Sequence, residues 1–201
     1  MTGIKVELAV ESDGADPHRI QAYMLLATLM ARPPSAELLA RLSVLRGDVS
    51  PLGDVLTALG TAAAAIDVPT AEREFNRLFI GLQQGEVVPY ASYYITGFLQ
   101  DRPLIAVRAD MARLGIARVP GVSEPEDHVA ALMEIMAGLI DGRFGAAGTA
   151  EQQRFFARHI DPWAPQFFED LERAGSAVLY RPVGTFGRLF LEIEREAFAL
   201  P

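Results

Sequence analysis

The stretch Gly121–Ile140, reading GVSEPEDHVAALMEIMAGLI, constrains the fold of this chain more than any other. Ser123 and Glu126 stand at the spacing of a capping box, in which hydroxyl and carboxylate each satisfy an otherwise unpaired backbone N–H. Glu124, Glu126 and Asp127 put carboxylates at the positive end of the expected helix dipole. Beyond them Val129, Leu132, Met133, Met136, Leu139 and Ile140 recur on one continuous helical face. That face is core, and the rest of the chain has to cover it.

A second strip, Asp127, Ala131, Glu134 and Gly138, recurs at the same period with Ala130 and Ala137 beside it. Small residues leave room for a partner's backbone, yet spacing alone reads a charged strip of this kind as solvated surface. His128 follows Glu124 by four residues at the edge of the apolar stripe. Taken by itself it reads as a half-buried histidine held by Glu124 rather than as a catalyst.

The flanking sequence supplies helices throughout. Asp16 with Pro17 opens one that runs through Arg32 and is apolar almost all round from Ala22 to Ala31, which suits a central position. Ser35 caps a second with Leu38, Leu39, Leu42 and Leu45 on one side, and Ser50 with Pro51 starts a third through the tract Ala62–Ala65. Thr70 is expected to open a fourth, in which Phe75, Leu78, Phe79 and Leu82 share a side. From Gly81 to Gly97 the pattern breaks into an irregular stretch that holds Tyr90, Tyr93 and Tyr94, three of the five tyrosines. Aromatic surface on such a loop is either pinned into the core or exposed for binding.

Asp101 caps the next helix, with Leu104, Val107, Met111 and Leu114 inward and Gly115 as a left-handed stop. Thr149 and Gln152 suggest a further capping box for a helix to His159, Pro162 or Trp163 begins another that ends at Gly175, and a helix from about Pro182 to Ala199 is the last. In that last helix Val183, Phe186, Phe190, Ile193 and Ala197 are expected on one side. No alternating strand and no fixed-period repeat is found. The expectation is an all-α, single-domain bundle of about nine to ten helices over residues 16–201, after a flexible lead-in at 1–15.

Composition narrows the chemistry. Half of the 201 residues are hydrophobic, enough to bury a sizeable core. Cysteine is absent, which removes disulfides, thiolate metal sites and cysteine nucleophiles together. A net charge of −8 argues against a nucleic-acid surface, and Lys5, the one lysine, leaves no residue for Schiff-base or Walker-type chemistry. The first residues lack the basic-then-apolar layout of a secretory signal, and no run reaches membrane-span length, so a cytoplasmic protein without stable membrane insertion is expected.

Among enzyme classes, the di-metal carboxylate bundle needs Glu-x-x-His pairs, but Ala15, Pro125 and Phe156 stand three residues before the three histidines. No Gly-x-Ser-x-Gly nucleophile turn is found, and Asp127 and His128, as neighbours in a helix, would point about 100° apart. Neither catalytic residues nor a bound cofactor or metal is expected.

Two segments together resemble the TorD/DmsD/NarJ family of cytoplasmic chaperones for molybdenum oxidoreductases. One is the aromatic-Leu-Phe-Gly run followed by a proline-tyrosine-serine-tyrosine loop, present as Phe75, Leu78, Phe79, Gly81, Pro89, Tyr90, Ser92 and Tyr94. The other is Glu-Pro-x-Asp-His leading into a Leu/Met-rich helix, present as Glu124, Pro125, Asp127 and His128 before Met133 and Met136. The chain departs from the pattern at Leu82, Val88 and Ala91.

The resemblance implies a helical chaperone, not an enzyme, that binds the twin-arginine signal peptide and apo form of a client. Clients of the formate dehydrogenase, nitrate reductase or S- or N-oxide reductase type are all compatible. The chaperone would delay export and assist insertion of the molybdenum cofactor. It also implies a peptide site in which Glu124, Glu126, Asp127 and Glu134 receive the arginines and Phe79, Tyr90, Tyr93, Tyr94 and Leu132 accept the apolar part, with Asp127 and His128 at the polar end and Ser92 of the loop motif beside them. Monomer and domain-swapped homodimer both remain open. Two other classes stand beside this one: a helical adaptor or assembly subunit, and a nucleotide-binding or hydrolytic protein.

Overall fold

In the computed structural model, residues 16–81, 85–118, 121, 124–145 and 147–200 are described. They form ten α-helices in a single helical domain, with no strand among them. Helix α1 (Asp16–Ala31) lies along α7 (Val129–Ile140), and both are enclosed by the other helices. Around them stand α2 (Ala36–Ser43), α3 (Pro51–Ala65), α4 (Val68–Phe75), α5 (Ala91–Thr96) and α6 (Arg102–Arg113). The chain closes with α8 (Thr149–His159), α9 (Ala164–Arg173) and α10 (Tyr180–Ala199). Helix α7 is covered nearly all round, from Val129 through Leu132, Met133 and Met136 to Leu139, and only Glu134 is exposed.

Local chemistry sets most helix starts. The hydroxyls of Ser35 and Ser50 accept from Leu38 N and Gly53 N at the heads of α2 and α3. Helix α4 opens at Val68, two residues before Thr70, because Asp67 Oδ1 accepts from Thr70 N (2.8 Å) and Pro69 supports the first turn. Its end widens into a π-turn, Asn76–Ile80, closed by Gly81 N donating to Asn76 O at 2.7 Å. That turn buries Leu78, leaves Phe79 half-buried and turns Ile80 to solvent, while Leu82 lies outside the described residues.

Three expectations fail for tertiary reasons. Helix α8 has Gly148 as its cap with no side-chain bond, because Gln152 is drawn off to Arg19 Nη1 and Ala147 O. Helix α10 begins at Tyr180, ahead of Pro182, because its first N–H groups are capped from another helix. Glu74 of α4, itself buried, accepts from Val178 N (2.7 Å), Leu179 N (3.1 Å) and Tyr180 N (2.8 Å). At the far end of α10, Ile193 and Ala197 face solvent, and Leu191 and Glu194 turn inward instead. Glu194 is fixed there by Arg19, which donates to both its oxygens (2.7 and 2.9 Å), and by the Tyr23 hydroxyl (2.9 Å).

Helices α9 and α10 touch backbone to backbone. A Cβ built on Gly184 would lie 2.5 Å from Glu172 N and 2.7 Å from Phe168 O. Gly184→Ala is therefore expected to destabilise the fold by about 1–3 kcal/mol through overpacking, read as a lower urea midpoint at unchanged slope. An unchanged midpoint would mean the helices separate without cost.

Candidate functional site

The two motif segments meet. Residues leading into α5 and residues leading into α7 pair as an isolated antiparallel bridge between Tyr90 and His128. Ala91 N donates to Asp127 O (3.0 Å) and Val129 N donates to Pro89 O (2.9 Å). Asp127 adds a side-chain tie, its Oδ2 accepting from Ser92 N at 2.9 Å. Ser92 passes the link on, since its hydroxyl accepts from Asp101 N (3.2 Å) at the head of α6. Asp127 and Ser92 are both fully buried, and Asp127 Oδ1 has no hydrogen-bond partner among the described residues.

Helix α7 therefore starts five residues later than the capping-box spacing suggests. Residues 124–128 form turns, with His128 N donating to Pro125 O (3.1 Å), because Asp127 is committed to α5 through both its carbonyl and its carboxylate. Ser123 lies outside the described residues, and His128 is the observed cap. Its Nδ1 accepts from Ala130 N at 3.1 Å, so the imidazole is the neutral tautomer with its proton on Nε2. Burial pushes this imidazole down to about 4, against the opposing pull of the Glu124 and Asp127 carboxylates. The ring packs edge-on against Tyr90, centroids 5.0 Å apart.

At the surface the Tyr90 hydroxyl donates to Glu124, and burial together with that carboxylate drives the phenol's pKa upward. Glu126 accepts from Arg108 Nε of α6 (2.9 Å) and stands 3.8 Å from Arg118 Nη1, while Arg118 Nη2 donates to the Glu124 carbonyl at 3.1 Å. These arginines were missed by sequence reasoning, and no local spacing links either of them to Glu126.

The remaining candidates spread out. Tyr94 is anchored inward, its hydroxyl donating to Asp170 Oδ2 (2.8 Å) and its ring against Trp163 and Phe167, whereas Tyr93 stays part-exposed beside it. Phe79 packs on Phe75 and Tyr180, and Leu132 is fully buried. Glu134 projects from α7 into solvent and does not share a face with Asp127, which precedes the helix. Gly138 opens no groove, because the Phe144 ring fills the space a Cβ would take. The irregular Gly81–Gly97 stretch contains α5, and Ala91 is buried at its start.

A second buried polar cluster lies on the other side of α6. His159 Nε2 and Arg158 meet Asp110 Oδ2 at 2.7 and 2.8 Å, and burial holds the His159 imidazole below its ordinary range. Among the described residues no three histidine, aspartate or glutamate side chains converge as a metal site would require. No single described helix is long and apolar enough to cross a membrane, and the one pair that passes by composition, Pro51–Ala65 with Val68–Ile80, is bent by 118°.

Fold and site together define a helical protein that joins two loop motifs into one acid-and-aromatic surface. The fold is shared with a solved structure described as a redox enzyme maturation protein from Archaeoglobus fulgidus, at a TM-score of 0.59 and 17% identity over 94% of this chain and 99% of that one. Residues 46–169 match the nitrate reductase delta subunit family, and the chain belongs to it. It is also similar to the chaperone protein TorD of Vibrio cholerae, 25% identical over 130 residues, which cover 61% of this chain and 59% of that protein. The TorD chaperone of Photobacterium profundum is 35% identical over a shorter stretch of 69 residues, 33% of this chain and 32% of its own.

Proposed function

We propose that this protein is a cytoplasmic chaperone for a molybdopterin oxidoreductase. It binds the client's twin-arginine signal peptide and apo form, holds the client back from export and assists insertion of the molybdenum cofactor. The observation that carries the reading is the cross-tie of Tyr90, Ser92, Asp127 and His128, which brings both motif segments to one surface in a chain similar to TorD chaperones. Clients of the formate dehydrogenase, nitrate reductase and S- or N-oxide reductase types all fit it.

Roles follow from exposure. Glu124 and Glu126 receive the leader's guanidinium groups, with Tyr90 and Tyr93 as aromatic neighbours. Asp127, His128 and Ser92 are positioning residues, since buried groups act on a peptide through the backbone they hold. Tyr94 and Phe79 anchor that backbone to α9 and α10, and Glu134 adds negative potential from α7.

The test is calorimetry with a synthetic twin-arginine leader. The native protein is expected to bind it, and Glu124→Gln with Glu126→Gln is expected to weaken binding about 10- to 100-fold, the value of one or two charge-assisted hydrogen bonds. Both carboxylates lie at or near the surface, so an unchanged circular dichroism spectrum accompanies the loss. If the native protein ignores leaders with paired arginines, the reading is wrong.

A further inference from the structure

Glu126 already has arginine partners in Arg108 and Arg118, so a leader's guanidinium groups would exchange with them rather than add to them. Exchanging one ion pair at Glu126 for another returns only part of what a new pair would contribute. Part of the net affinity therefore has to come from apolar surface, and the exposed apolar side chains are unevenly spread. Of the eleven large hydrophobic residues exposed among the described residues, Tyr93, Ile95, Phe98, Leu99 and Ile105 fall within α5, the turn after it and the first turn of α6. Phe98 is 72% and Ile105 66% exposed. A patch so concentrated marks an interaction surface, where scattered single residues would not.

The band is also shaped. Between α5 and α6 a cleft of about 330 Å³ opens, walled by Ile95 and Thr96 on one side and Pro103 and Ala106 on the other. The turn that presents Phe98 and Leu99 is set by Gly97 at φ 80° and by Gln100 at φ 57°, a left-handed conformation uncommon for a residue with a Cβ. Charge gives the band a direction. Ile105 and Arg108 are three residues apart on α6, so the Glu126 carboxylate held by Arg108 borders the band at one end. Arg102 and Arg158 line the cleft, with Arg158 paired to Asp110 at 2.8 Å.

Resting on the reading above, we infer that this α5–α6 band docks the apolar stretch of the leader. The leader's paired arginines take the place of Arg108 and Arg118 at Glu126, and its apolar residues run past Ile105 into the cleft beside Ile95, Phe98 and Leu99. Arg158 in the cleft is already held by Asp110 (2.8 Å), so the direction rests on the Glu126 carboxylate at the end beside Ile105. Ala91 and Ser92 join this band to Asp127 through their N–H groups, which makes acid end and apolar end parts of one rigid surface.

The experiment compares two synthetic peptides by calorimetry on the full chain. One carries paired arginines followed by an apolar stretch of about ten residues, and the other ends after the arginines. Phe98→Ser with Ile105→Ser, both at exposed positions, is expected to weaken the long peptide about 10- to 50-fold and leave the short one unchanged. Loss of binding to the short peptide as well would place the apolar contact elsewhere and overturn the docking. If the native protein binds the long peptide and the variant binds it equally, the docking is wrong while the chaperone reading stands. If the native protein binds neither, both fall. Sedimentation of the same samples separates the remaining occupant: a native dimer that the substitutions convert to monomer at unchanged leader affinity would assign the band to a second copy, and overturn the inference.

Discussion

Glu74→Ala is expected to lower the folding free energy by about 3–5 kcal/mol, a large part of what a domain of this size has. The carboxylate is buried and accepts from three successive N–H groups at 2.7–3.1 Å, those of Val178, Leu179 and Tyr180. Leu179, the residue before α10, makes no side-chain cap bond of its own. Removing the carboxylate leaves buried donors without acceptors, each carrying a desolvation cost of about 1–3 kcal/mol that partial relaxation reduces. Glu74→Gln is expected to fall between, because one amide oxygen remains to accept while the amide NH₂ would face N–H donors. Urea unfolding followed by circular dichroism measures both, and a loss below about 1 kcal/mol for the alanine variant would mean that the helix is capped by other means.

Acid is expected to unfold the protein in part through His128. In the unfolded chain its imidazole takes up a proton near pH 6.5, whereas in the fold burial holds it to about 4. The stability tied to the neutral ring is therefore complete above pH 6.5 and is lost as pH falls towards 4. Over that interval the loss is roughly 3 kcal/mol. The geometry gives the same sign, because Nδ1 accepts from Ala130 N and a proton on that nitrogen would abolish the cap of α7. His128→Asn keeps an acceptor at the cap without a titrating group. Its stability difference between pH 7.5 and 4.5 is expected to shrink by about 2–3 kcal/mol relative to the native chain. His159 is depressed by burial in the same direction and remains in both proteins, so the comparison isolates His128. Identical acid limbs would show that the ring is not held neutral by the fold.

The sequence disclosed what local chemistry decides. Ser35, Ser50 and Asp101 cap where their side chains reach their own next turn, and the apolar periods of α1 and α7 mark the two central helices. It did not disclose decisions taken between distant residues. Helix α10 starts early because Glu74 reaches across about a hundred positions, and its inward face changes near Glu194 because Arg19 waits there. The candidate site shows the same division. Glu124, Asp127 and His128 stand out as a motif, yet Asp127 and His128 prove to be buried struts, and the arginines that hold Glu126 come from a different helix. The exposure of Phe98 and Ile105 could not be read from spacing, because a turn and a helix face must meet before either is part of a surface.

The clasp of Arg19 on Glu194 spans 175 residues, and the helix that carries Arg19 packs chiefly on α7, made more than a hundred residues later. Ribosomes add about 5–20 residues per second, so α1 waits roughly 10–35 s for its closing partner. The fold is thus closed only once α10 has been made, since Glu194 and the first turn that Glu74 caps both lie on that helix.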